Sequence, residues 1–175
     1  GGLRIAPYYG CLIVRPAFQG VFDDHEYPTT LDMLMKTLGA TVVDFPMKAH
    51  CCGGHMTQIS QSTGLELIRQ LLQNAVDNQA DAIVTLCPMC QLNLDAYQND
   101  VNKFFKTNYQ IPVLYFTQMM GLAFDIPASD LGIGSEFIDA RPALAKIGVE
   151  VPEPETPKKK PSKDALPMPR MQEEK

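Results

Sequence analysis

Runs of apolar residues alternate along this chain with segments in which apolar residues recur every three or four positions. That alternation predicts its elements. Leu3-Arg4-Ile5-Ala6-Pro7-Tyr8-Tyr9 predicts a first strand, and Pro7 implies that its pairing is interrupted or at an edge. The stretch from Arg15 to Tyr27 has no clean period and reads as loop. Leu31, Leu34, Met35 and Leu38 then share one face of a helix from Thr30 to Leu38, with Thr30 as N-cap and Gly39 just past the end. Ala40 to Phe45 predicts a short β-branched strand, and Leu65, Ile68, Leu72 and Val76 a helix over about Gly64 to Asn78. The run Asp81 to Leu86 is apolar enough for a strand buried in a parallel sheet. A third helix is predicted from about Met89 to Lys106, with Leu94, Tyr97, Val101, Phe104 and Phe105 facing inward and Pro88 in its first turn. Val113 to Phe116 is the last predicted strand, followed by helices over Thr117 to Phe124 and Arg141 to Ile147.

Strands that alternate with helices imply an α/β fold: an open, mainly parallel sheet with flanking helices. Such sheets carry their functional loops at the carboxyl ends of the strands. From residue 151 the composition changes. Pro152, Pro154, Pro157, Pro161, Pro167 and Pro169 alternate with charged residues, including Lys158-Lys159-Lys160. The chain therefore divides into a domain over 1–150 and a Pro/Lys/Glu-rich extended tail over 151–175.

At 175 residues and 45% apolar content, the chain can bury one ordinary hydrophobic core. A net charge of −5, with no basic stripe in the domain, argues against nucleic acid as the main partner. No apolar run approaches the roughly 20 residues of a membrane-spanning helix, and no signal-peptide pattern is present. The expectation is a soluble, cytoplasmic protein without a membrane span. Gly1-Gly2 stands where an initiator methionine would, and a strand follows at once, so the chain is expected to be a piece of a longer one.

Five cysteines change the picture: Cys11, Cys51, Cys52, Cys87 and Cys90, in the order C-x39-C-C-x34-C-x2-C. An odd number fits a disulfide framework poorly, and a reducing compartment keeps cysteines as thiols or metal ligands. Each group follows a predicted strand, so the loops bearing them converge on one end of the sheet. A vicinal pair and a CxxC pair can each chelate, and thiolate clusters suit iron–sulfur sites or zinc. A zinc ion would take four of the five in a tetrahedron and leave the fifth a bystander. Gly53 and Gly54 permit close backbone approach, and their N–H groups can donate to cluster sulfurs. Of the histidines that flank the pair, His55 is favoured over His50 as a proton donor or substrate contact, and His25 lies in a polar surface stretch. Arg15 is a candidate for a carboxylate or phosphate of a substrate, with an exposed or ion-paired arginine as the commoner outcome. No nucleotide-binding or hydrolase signature is present.

The cysteine spacing, the Cys51-Cys52-Gly53 signature and the Tyr9-to-Pro16 opening resemble the cysteine-rich CCG domain found in the B subunit of heterodisulfide reductase. The resemblance covers about residues 3 to 125 and points to the C-terminal of that subunit's two domains. The same domain recurs in thiol-driven fumarate reductases, an unusual succinate dehydrogenase subunit, and lactate and glycolate oxidation proteins. The resemblance implies a non-cubane [4Fe–4S] cluster on all five cysteines and a disulfide oxidoreductase within a multi-subunit complex. A thiol or disulfide small molecule would sit between two facing clusters, with electrons from flavin-containing and ferredoxin-like iron–sulfur subunits. The second cluster would come from upstream sequence or a partner. Two other readings stand beside it: an electron-transfer subunit of a fumarate, succinate or sulfur-oxidation system, and a non-catalytic zinc-stabilised docking domain. Leu12 departs from the histidine that related subunits often carry directly after the cysteine.

Overall fold

The computed structural model describes residues 2–15, 23–151 and 153, so most of the tail and the Pro16 end of the opening motif lie outside the described residues. Within them, β1 (Arg4–Tyr8), β2 (Thr41–Val42), β3 (Ala82–Thr85) and β4 (Val113–Tyr115) form one sheet in the order β2-β1-β3-β4. Every pairing is parallel. The helices are α1 (Thr30–Thr37), α2 (Met56–Ile59), α3 (Gln61–Asp77), α4 (Pro88–Ala96), α5 (Gln98–Phe105), α6 (Phe116–Ala123) and α7 (Arg141–Leu144), the last continued by a 3-10 turn over Ala145–Ile147.

Side chains alternate across the strands and so feed two separate cores. Ala6, Tyr8, Ile83 and Val113 join Leu65, Ile68, Leu72, Leu94 and Val101 from α3, α4 and α5. Ile5, Val84 and Leu114 join Leu31, Met35, Met119 and Leu144 from α1, α6 and α7 on the opposite face. The result is the expected α/β layering, with a sheet buried on both sides.

Three local expectations need correction, and of the two alternatives for Pro7 the interrupted pairing holds: the β2 ladder stops short of it. Pro7 is not on an edge strand, because β1 lies between β2 and β3. The Leu3 and Ile5 carbonyls accept from Thr41 and Val43, whereas Arg4 accepts from Asp81 beside β3. Pro7 therefore turns its missing N–H towards β2's side, beyond the last β2 residue in the ladder, Val42, and removes no ladder bond. The expected helix over 89–106 is two helices that meet at Tyr97. Buried Gln98 opens the second by donating to the Leu94 and Ile111 carbonyls and accepting from the Ile111 N–H. That turn rotates Phe104 into solvent instead of the core. On α3, Ala75 is buried and Val76 is exposed. Finally, α1 is capped at Thr29, not Thr30. Its first N–H groups find the Asp23 carboxylate, which accepts from Thr29 and Thr30, and the Tyr9 hydroxyl, which accepts from Leu31. Gly39, at φ +87, does follow the helix end as expected.

Candidate metal centre

The sheet reverses its direction of growth between β1 and β3, and a crevice opens outside the carboxyl ends of strands at such a switch point. Cys11 follows β1, Cys51 and Cys52 follow β2, and Cys87 and Cys90 follow β3. Backbone bonds lash the first two loops together: the Tyr9 and Gly10 N–H groups donate to the Lys48 carbonyl at 2.8 and 3.2 Å. Lys48 itself is buried, with Nζ 2.9 Å from Asp32 Oδ1 and 3.9 Å from the centre of the Tyr27 ring. Tyr9 donates to the other Asp32 oxygen at 2.6 Å. The start of α1, the Cys11 turn and the approach to Cys51 thus share one polar network.

Beneath the vicinal pair, the Tyr8 hydroxyl donates to the His50 carbonyl at 2.7 Å, and Asn93 Nδ2 donates to the Cys52 carbonyl at 2.8 Å. The segment is held by alternate carbonyls, with Cys51 between them exposed and Cys52 buried. Gly53, at φ +89, lets the chain turn there, and its N–H donates to Cys51 Sγ at 3.4 Å. Cys87 caps α4, Pro88 occupies the first turn, and Cys90 points inward from that turn. Its Sγ lies 3.4 Å from Cys52 Sγ. Gly10 leaves the room for this: a Cβ there would sit 2.9 Å from Cys90 Sγ.

Hydrogen bonding and burial set the proton affinities of Cys11, Cys52 and Cys90. The hydrogen bond from Cys90, helped by the Gly54 N–H and Asn93, outweighs burial and holds the Cys52 thiol down at about 6. Cys90 is pushed well up, first by giving its proton to that bond and then by burial. Burial, then a hydrogen bond with Cys51, raises Cys11. Tyr8 is raised above the phenol range by burial and next by charge on Cys52, Cys90, Cys51 and Cys11. Of the five sulfurs, Cys52 and Cys90 are in direct contact, while Cys11, Cys51 and Cys87 stand on the neighbouring strand-end loops.

The donor set fits a thiophilic group. Two thiolates on one tetrahedral metal atom with bonds of about 2.3 Å would sit roughly 3.8 Å apart, and the Cys52–Cys90 separation of 3.4 Å is close to that. Among the described residues, no three Cys, His, Asp or Glu side chains stand close enough together to hold a metal ion between them. The other expected residues are spread around the rim. His55 is exposed at the N-cap of α2, His50 is exposed and supplies only its carbonyl to Tyr8, and Arg15 is exposed. His25 is half-buried, with Nδ1 3.1 Å from the Val14 carbonyl, and so is less superficial than its polar setting implies. Sequence reading missed Asn93, Lys48 and the interior position of Tyr8. The one signal for Asn93 was its spacing: three residues after Cys90, it must share that cysteine's helix face.

Residues 5–95 match the family model described as the cysteine-rich domain, CCG. The chain belongs to the CCG cysteine-rich domain family. It is 38% identical over 138 residues to the 8-methylmenaquinol:fumarate reductase membrane anchor subunit of Wolinella succinogenes, covering 79% of this chain and 49% of that protein. It is 35% identical over 147 residues to the B subunit of the ferredoxin:CoB-CoM heterodisulfide reductase of Methanosarcina mazei, covering 83% and 49%. An Archaeoglobus profundus protein, described as like the B subunit of heterodisulfide reductase, is 31% identical over 127 residues, or 69% and 42%. The CCG chain spans about half the length of these curated relatives or less. Among its described residues, no helix is long and apolar enough to cross a membrane.

Proposed function

We propose that this chain is an iron–sulfur redox subunit of a heterodisulfide-reductase-like complex, reducing or forming a thiol disulfide at a non-cubane [4Fe–4S] cluster. One observation carries the reading: three strand-end loops carry the five thiols at the carboxyl end of the sheet, and from two of these loops Cys52 and Cys90, both buried, meet at 3.4 Å. Cys11, Cys51, Cys52, Cys87 and Cys90 would hold the cluster within a domain over 1–150, and residues 151–175 would form its tail. When bound, the cluster supplies one-electron transfers. The chain's own residues shape what reaches it. The Gly53 and Gly54 N–H groups and Asn93 face cysteine sulfurs and temper their charge. Tyr8 holds the His50 carbonyl, Gly10 leaves room for Cys90, and the Lys48–Asp32 pair ties the Cys51 approach to α1. Exposed Cys51 leaves one edge open to a thiol, where His55 would exchange a proton. The reading places the protein in the cytoplasm, beside flavin-containing and ferredoxin-like iron–sulfur subunits.

The fumarate reductase relative favours a second reading, in which the same cluster passes electrons to another oxidoreductase. Anaerobic EPR separates the two. A spectrum that changes on adding a thiol such as 2-mercaptoethanesulfonate supports thiol chemistry at the cluster. An unchanged spectrum, with electrons still accepted and released, sinks that chemistry and supports the second reading.

A further inference from the structure

We infer that Asn93 is a positioning residue for Cys52, fixing its backbone and sulfur so that the cluster's reduction potential is raised; this rests on the iron–sulfur reading above. Asn93 is buried at 5% exposure, on a helix face otherwise lined by Cys90 and Leu94. A polar side chain there is costly unless its hydrogen bonds are made. Its amide nitrogen has two protons. One goes to the Cys52 carbonyl at 2.8 Å, and the same nitrogen lies 3.8 Å from Cys52 Sγ. Asn93 sits on α4, the helix that carries Cys90, whereas Cys52 sits on the loop after β2. Its amide therefore cross-links the two chelating pairs through a part of the chain that is not itself a ligand.

The geometry has a chemical consequence. A donor facing a ligand sulfur favours the more negative, reduced state of a cluster, because added charge spreads onto the sulfurs. The low-dielectric interior around Cys52 strengthens that effect. Cys51, exposed on the same loop, faces no side-chain amide among the described residues, and its N–H donor is the Gly53 backbone. Asn93 thus acts on one sulfur and leaves the open edge untouched.

The test uses the full chain, anaerobically loaded with iron and sulfide, and reads midpoint potential by EPR-monitored titration together with iron content. Asn93→Asp keeps the shape and removes both donor protons; Asn93→Leu removes the polarity. Both are expected to shift the one-electron equilibrium about tenfold towards the oxidised state, or ~59 mV. Asp95→Asn, on the same helix but bonded to the Phe137 and Ile138 N–H groups, controls for general destabilisation and is expected to keep the wild-type potential. Wild-type potentials in both Asn93 variants, or an equal shift in Asp95→Asn, would overturn the inference. If both Asn93 variants lose their iron, Asn93→His decides, since it keeps an N–H donor: recovered iron supports the inference, and continued loss reduces Asn93 to packing. A wild-type chain that takes up no iron and sulfide would instead defeat the iron–sulfur reading itself and take this inference with it.

Discussion

Gly10→Ala and Gly39→Ala make a matched pair, because both glycines sit at positive φ (+71 and +87) but only one faces a sulfur. At Gly39 a Cβ meets nothing within 4 Å, so the substitution costs the left-handed backbone alone, about 1–2 kcal/mol. At Gly10 the same Cβ lies 2.9 Å from Cys90 Sγ, well inside van der Waals contact, and adds an overpacking cost of about 1–3 kcal/mol. For a chain of this size each kcal/mol lowers Tm by about 2–4 °C. Chemical denaturation should therefore rank wild type above Gly39→Ala, and Gly39→Ala above Gly10→Ala, with the second gap set by the sulfur contact. Iron content should separate them further. Gly39→Ala should match wild type, whereas Gly10→Ala must displace Cys90 Sγ and should bind less than half as much. Equal stability loss and full iron in both variants would refute the claim that Gly10 is required by the packing of Cys90.

Three further outcomes follow from the same geometry. Tyr8→Phe leaves the His50 carbonyl without its partner and should cost about 1–3 kcal/mol in denaturant unfolding; unchanged stability would deny that bond any part in holding the Cys51 loop. Lys48→Met strands a half-buried carboxylate and should cost about 3–5 kcal/mol, while the double variant Lys48→Met/Asp32→Asn should recover part of it. A double variant no better than the single would deny the pair any coupling. Asp23→Ala removes the cap of α1, for about 0.5–2 kcal/mol near neutral pH. Burial opposes ionisation of Asp23, but bonds from Thr30, Thr29 and Asp24 outweigh it and hold the carboxyl below its usual range. Its contribution is therefore present above about pH 4, the unfolded range, and lost as pH falls through the folded value. The wild-type advantage should shrink below pH 4, and an advantage constant with pH would refute the cap.

How much of this was legible in the sequence depends on what each position reports. β1, β3 and β4 were visible because a strand buried on both faces leaves a continuous apolar run, as in Ala82-Ile83-Val84. The sites of the cysteines at strand ends followed from those runs. The break at Tyr97 was invisible: Gln98 looks like a solvated helix residue, and only the Ile111 backbone, thirteen positions on, shows why it is buried. The same holds for Lys48, whose partner Asp32 lies sixteen residues earlier on another element. Buried polar groups satisfied by distant partners have no period, so pattern reading assigns them to the surface. Asn93 belongs to this class, and it is the one that touches the site.

The most direct test of the account is the iron and acid-labile sulfide content of anaerobically prepared protein, with Cys11→Ser measured alongside. The account predicts about four irons and four sulfides per chain, as a [4Fe–4S] centre requires, lost or altered in Cys11→Ser. One zinc per chain, no sulfide and a Cys11→Ser variant indistinguishable from wild type would contradict it.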